Sequence, residues 1–166
     1  FLPQMLGGLD NFNAKVGDLY GKLHFQVNEK SALDASFLGS VDSYGYDTQG
    51  DSRDEMSWDN LLGILRYRYD GEVTSFNLTA SANRYGSRQK QDKTYRGEVS
   101  HYSLRSSLME YGLKAGLQHR FLDERLVIGE GLNLRYGRFA PGQIGEDTRI
   151  SNTMLSTLWL QAEYNI

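Results

Sequence analysis

Three histidines, His24, His101 and His119, are the first side chains to test for chemistry. They lie far apart in the chain and form neither a closely spaced pair nor an HExxH pattern, so ordinary strand or loop histidines explain them better than metal ligation does. An acidic group, Asp47, Asp51, Asp54, Glu55 and Asp59, offers the oxygen ligands that calcium takes. Its spacing is not that of an EF-hand, and a solvated outer loop accounts for it more simply. Serine, histidine and aspartate all occur, but none sits in a nucleophile-elbow context. The run Arg88-Gln89-Lys90-Gln91-Asp92-Lys93 can meet anionic lipopolysaccharide or an acidic ligand, or can simply be a charged loop. There is no cysteine, which removes disulfides and thiolate sites. No catalytic, cofactor-binding or metal residue is assigned, and no enzyme is expected.

The elements that carry these residues are written in a period of two. Leu19, Gly21, Leu23, Phe25 and Val27 alternate with Tyr20, Lys22, His24 and Gln26, and Phe76, Leu78, Ala80 and Ala82 alternate with Asn77, Thr79, Ser81 and Asn83. Such alternation sends one set of side chains to each face of a β-strand. Seven strands are predicted, over residues 18–28, 32–44, 58–69, 72–85, 108–121, 125–136 and 154–164. They exceed the five or six residues common in soluble sheets and reach the ~9–11 that a tilted strand needs to cross a hydrocarbon layer. Residues 1–17 read as a loop. Short turns are expected at 28–31, 70–71 and 122–124, with Asp70-Gly71 as a positive-φ hairpin turn. Long polar loops are expected at 45–57, 86–103 and 139–153. Short turns on one side and long loops on the other are the pattern of an outer-membrane barrel.

Composition agrees with this reading. No apolar run approaches the ~18 residues of a membrane-crossing helix, and mean hydropathy is −0.55. A barrel tolerates that average because half of each strand faces a polar lumen. Eleven Tyr, seven Phe and two Trp can furnish aromatic girdles, and only two Pro leave long strands uninterrupted. With 18 basic against 21 acidic residues there is no basic footprint for nucleic acid.

The alternation assigns faces. Leu23, Phe25, Phe37, Phe76, Leu78, Leu113, Leu117 and Leu160 are expected to face lipid, and Lys22, Asn77, Lys114 and Gln118 the lumen. Tyr67, Tyr69 and Phe121, next to the short turns, are expected in an interfacial aromatic belt. Glu130 falls on the apolar side of its strand; a bulge at Gly129 or Gly131, or a place beyond the lipid boundary, would each accommodate it.

Asp18-Leu19-Tyr20-Gly21-Lys22-Leu23, Asn28-Glu29-Lys30-Ser31 and Ser36-Phe37-Leu38-Gly39-Ser40 together resemble barrel segments of TonB-dependent outer-membrane receptors of the Bacteroidetes type. Trp58-Asp59-Asn60 is similar to a Trp-Gly-Asn strand opening in that family, with Asp59 in place of the glycine. The likeness continues through Tyr111-Gly112-Leu113-Lys114-Ala115, Phe139-Ala140-Pro141 and Trp159-Leu160-Gln161-Ala162-Glu163-Tyr164, and so spans nearly the whole chain. The resemblance implies a 22-stranded barrel closed by a plug in the outer membrane of a Gram-negative bacterium. It also implies import of a scarce nutrient (siderophore, glycan, peptide or cofactor) driven by the TonB complex. The family's energy-coupling residues match no position here.

The expectation is therefore an all-β protein, residues 1–166 forming an antiparallel transmembrane β-barrel segment, an internal piece of a larger barrel without its plug. Its expected partners are the lipid bilayer and lipopolysaccharide, the remaining strands and plug, the TonB complex and, as an accessory, a surface lipoprotein. No cofactor and no nucleic acid are expected. Two alternatives stand beside it: a non-transporting outer-membrane barrel that serves as an assembly or adhesion scaffold, and a soluble all-β binding module.

Overall fold

Seven alternating strands line up in the order in which the chain makes them. The computed structural model describes residues 12–48, 52–123, 125–142 and 150–164. They form β1 (Phe12–Asn28), β2 (Ser31–Thr48), β3 (Ser52–Asp70), β4 (Thr74–Tyr95), β5 (Glu98–Phe121), β6 (Leu126–Ala140) and β7 (Ser151–Tyr164). The fold is all-β: one antiparallel seven-stranded sheet in the order β1-β2-β3-β4-β5-β6-β7, open, with β1 and β7 as its edges. The register is nearly unbroken, with one irregularity between Gln26 and Asn28. Rows therefore run straight across the sheet, as in Leu23, Ala35, Leu65, Ala80, Leu113, Leu134 and Ser156.

The predicted strands are all present, but they are longer than expected at one end. Residues 12–17 belong to β1 rather than to a loop; residues 1–11 lie outside the described residues. The polar stretches expected as loops at 45–57 and 86–103 are mostly strand, since β2 and β3 pair from Thr48 and Ser52 inward and β4 and β5 pair as far as Tyr95 and Glu98. Of the loop expected at 139–153, Phe139, Ala140 and 151–153 are strand, and 143–149 lie outside the described residues. A ladder needs backbone partners rather than apolar side chains, and here polar pairs extend it. The Gln91 amide donates to Asp54 Oδ1 at 2.6 Å, Lys90 Nζ lies 3.7 Å from Glu55, and His101 Nδ1 lies 2.8 Å from Asp92.

The turns differ in a related way. A two-residue positive-φ hairpin stands at the far end, where Arg96 (φ 51°) and Gly97 (φ 85°) link Tyr95 to Glu98 in the geometry that favours glycine. Asp70-Gly71 does not adopt it. The chain instead passes through residues 71–73, with the Gly71 N–H donating to the Thr74 carbonyl at 2.9 Å. β5 holds this longer turn: the Arg120 N–H bonds the Val73 carbonyl at 2.8 Å and its guanidinium bonds the Gly71 carbonyl at 3.0 Å. Leu122 and Asp123, both at φ 54°, turn β5 into β6. The turns at 29–30, 71–73 and 122–123 share one end of the sheet, tied by the Asp70 N–H to the Lys30 carbonyl at 2.7 Å.

Almost nothing is buried. Among the described residues Ala32 is the sole buried hydrophobic side chain, and no large side chain is fully enclosed. The accessible surface is 12879 Å². A compact protein of 18.8 kDa exposes about 8,300 Å².

Candidate functional site

Because opposed residues in an antiparallel pair share a face, the register sorts every side chain. Leu23, Phe25, Phe37, Phe76, Leu78, Leu113, Leu117 and Leu160 all fall on one face. Leu19, Leu33, Leu61, Leu65, Leu132 and Leu158 complete it as an apolar belt. Lys22, Asn77, Lys114 and Gln118 all fall on the opposite face. Tyr67, Tyr69 and Phe121 lie on the apolar face beside the short-turn end.

Glu130 is on the apolar face as well. No bulge re-aims it: Gly129, Glu130 and Gly131 pair in even register with Gln118, Leu117 and Gly116 on one side and with Gln161, Leu160 and Trp159 on the other. It stands in the third row from the short-turn end, in an apolar groove with Phe76, Leu132 and Leu158.

The opposite face carries a polar network. His24 Nδ1 lies 2.8 Å from Asp34 Oδ1, and Arg68 donates to Asp34 Oδ2 at 3.0 Å. The row of His24 and Asp34 continues through Arg66, Lys114 and Asn133, and Lys22 stands in the next row. Towards the turns, the Trp159 indole lies over Gly131, where an added Cβ would come within 2.5 Å of the ring. A side chain at 131 would therefore force the Trp159 ring to move.

The residues weighed for chemistry are dispersed. His24, His101 and His119 each have a different neighbour (Asp34, Asp92 and Thr74), and among the described residues no group of three His, Asp or Glu side chains is placed to hold a metal. The acidic set is split by the pleat: Asp47, Glu55 and Asp59 lie on one face and Asp54 on the other, and Asp51 is outside the described residues. The basic run is divided too, with Arg88, Lys90 and Asp92 on one face and Gln89, Gln91 and Lys93 on the other.

No family model matches the chain, and no curated protein matches it significantly.

One feature of the geometry was missed in reading the strands one at a time. Beyond the belt, away from the short turns, the polarity of the faces inverts. Phe12, Tyr44 and Trp58 stack in sequence on the otherwise polar face, with ring centroids 6.1 and 5.2 Å apart, and Tyr46, Met56, Tyr102 and Leu104 join them. Below them the side-chain oxygens of Asn60 and Asn83 are enclosed without a hydrogen-bond donor. On the belt side the same rows hold Lys15, Arg53, Glu55, Asp59, Arg88, Lys90 and Arg105. The signal was a change of phase. In β2 the apolar residues run on odd positions to Val41 and then on even ones at Tyr44 and Tyr46, with no bulge between.

Proposed function

We propose that this sheet is part of the wall of a TonB-dependent transporter barrel in the outer membrane of a Gram-negative bacterium. One observation carries the membrane part of this reading: a sheet with an apolar belt across one face and, among the described residues, no enclosed core, exposing about half as much surface again as a compact protein of its mass. In water such an area of exposed leucine and phenylalanine would drive association. Against hydrocarbon it is the favoured surface, and the network of His24, Asp34 and Arg68 then faces the lumen. Unpaired backbone in lipid costs several kcal/mol per group, so β1 and β7 pair with further strands of the same polypeptide. The TonB-dependent part rests on the sequence resemblance set out above.

In this reading the protein catalyses nothing. It binds a scarce nutrient from outside and passes it inward past a plug when the TonB complex delivers energy. The bilayer with its lipopolysaccharide surrounds it, and a surface lipoprotein can assist capture. Deleting TonB from the host should abolish uptake of the ligand while leaving surface binding intact. Uptake that persists without TonB would point to a porin-like barrel, and a barrel with no uptake at all to a scaffold. A soluble monomer without detergent would overturn the membrane reading itself.

A further inference from the structure

At the height of the apolar belt, the polar face behind it carries an imbalance of charge. Three consecutive rows, running from Gln26, His24 and Lys22 on β1 to Trp159, Thr157 and Leu155 on β7, hold Lys22, Arg66, Arg68, Lys114 and Arg135. Asp34 is the one acidic side chain in those rows, and His24 and Arg68 already engage it. Among the described residues no carboxylate lies within ion-pair distance of Lys22, Arg66, Lys114 or Arg135. The excess is confined to this height, because acidic side chains return in the two adjoining rows, at Glu110 on one side and at Asp70 on the other.

The spacing of these cations says what they can hold. Arg66 and Lys114 share a row two strands apart, about 10 Å from each other, and Arg135 lies diagonal to Lys114 at about 7–8 Å. The floor beside Lys114 is open. Gly112 and Gly116 flank it on the same face, with the Ser81 hydroxyl and the Asn77 amide lying over them, 2.6 and 2.8 Å from where a Cβ would stand. Both groups can donate hydrogen bonds next to the charges. Mutual repulsion keeps the cationic heads apart, so a small monovalent ion meets one of them at a time. A solute with several anionic groups meets all three together. Walls of one charge sign backed by a low-dielectric layer focus the field on such a solute, and rings of Lys and Arg select anions in pores. We propose that this band recognises the transported solute and that the solute is a polyanion, a compact molecule with several carboxylate or phosphate groups held by Arg66, Lys114 and Arg135. The assignment rests on the transporter reading and narrows its ligand by charge, which the sequence resemblance does not do.

The test is isothermal titration calorimetry of the full-length protein in neutral detergent with benzenehexacarboxylate, myo-inositol hexakisphosphate and uncharged myo-inositol. The parent should bind one or both anions, more weakly as ionic strength rises, and should not bind myo-inositol. Which anion binds more tightly tells carboxylate from phosphate. Lys114→Gln/Arg135→Gln should weaken binding about tenfold or more, whereas Lys114→Arg, which keeps the charge, should retain it. Arg88→Gln/Arg105→Gln removes a facing pair of like charges from the opposite face and should leave binding unchanged. Absence of anion binding by the parent would mean that the band is neutralised within the intact protein, and it would overturn the assignment. Equal binding of myo-inositol, an equal loss in Lys114→Arg, or an equal loss in the Arg88 and Arg105 variant would overturn it too. Each of these outcomes is distinct from failure of the transporter reading, which shows as uptake that persists without TonB or as a monomer that needs no detergent.

Discussion

Leu78→Arg is the substitution that most directly tests which face meets lipid. Leu78 lies opposite Tyr67 on β3 and Ala115 on β5. Tyr111 and Phe121 bracket the belt on β5, and their separation of about ten residues, at about 3.3 Å each and tilted by about 40°, gives a height of about 25 Å. That is the height of the apolar band of an outer-membrane barrel. Ala115 and Leu117 occupy its middle, so in the proposed barrel Leu78 stands within one row of the bilayer midplane. Arginine on the lipid face there costs about 2–4 kcal/mol, against about 0–1 near the interfaces. The larger cost lowers the ratio of folded to unfolded protein about 30- to 900-fold. Reversible denaturant unfolding in phospholipid vesicles, followed by the emission of Trp58 and Trp159, measures it. Asn77→Arg, one residue away on the opposite face, and Phe121→Arg, at the edge of the belt, should each stay within about 1 kcal/mol of the parent. The reasoning fails if Asn77→Arg costs as much as Leu78→Arg, or if Leu78→Arg falls within the roughly 0.5 kcal/mol of an ordinary surface change.

Glu130→Leu removes a carboxylate from the belt and should stabilise the protein by about 1 kcal/mol in the same assay; a loss of stability would mean that Glu130 has a partner in the intact barrel. Gly131→Val places a side chain against the Trp159 ring and should cost about 1–3 kcal/mol; in the Trp159→Ala background most of that cost should vanish, and additive effects would show that the two do not touch. Trypsin added to intact cells should cut after Arg96, in the turn away from the short-turn end, and spare Lys30 at the other end; cleavage at Lys30 with Arg96 intact would invert the topology. Asp34→Ala should leave His24 and Arg68 without their shared carboxylate and alter conductance or ligand passage more than stability, as single-channel recording and unfolding together would show; a purely structural loss would place the network outside the lumen.

The sequence alone determined which segments are strands and which of their residues share a face. In a long amphipathic strand the two faces meet different media, so side-chain alternation is written at every second residue, and the register pairs Leu113 with Ala80 and Leu134 as that alternation requires. It could not determine where the strands end. Polar residues such as Gln89, Gln91 and Asp92 read as loop, yet backbone partners on β3 and β5 extend the ladder through them. The turn at Asp70-Gly71 was misread for a similar reason, because Arg120, fifty residues away, supplies bonds that local residue preferences do not record. The inversion of polarity beyond the belt was legible as a phase change in β2, but its meaning was not. Only pairing across strands shows that Phe12, Tyr44 and Trp58 meet on one face, and that Arg84, Arg88, Arg105 and Arg138 gather on the other. Periodicity is a property of one strand and survives in one dimension, whereas a cluster drawn from several strands exists only once the register is set.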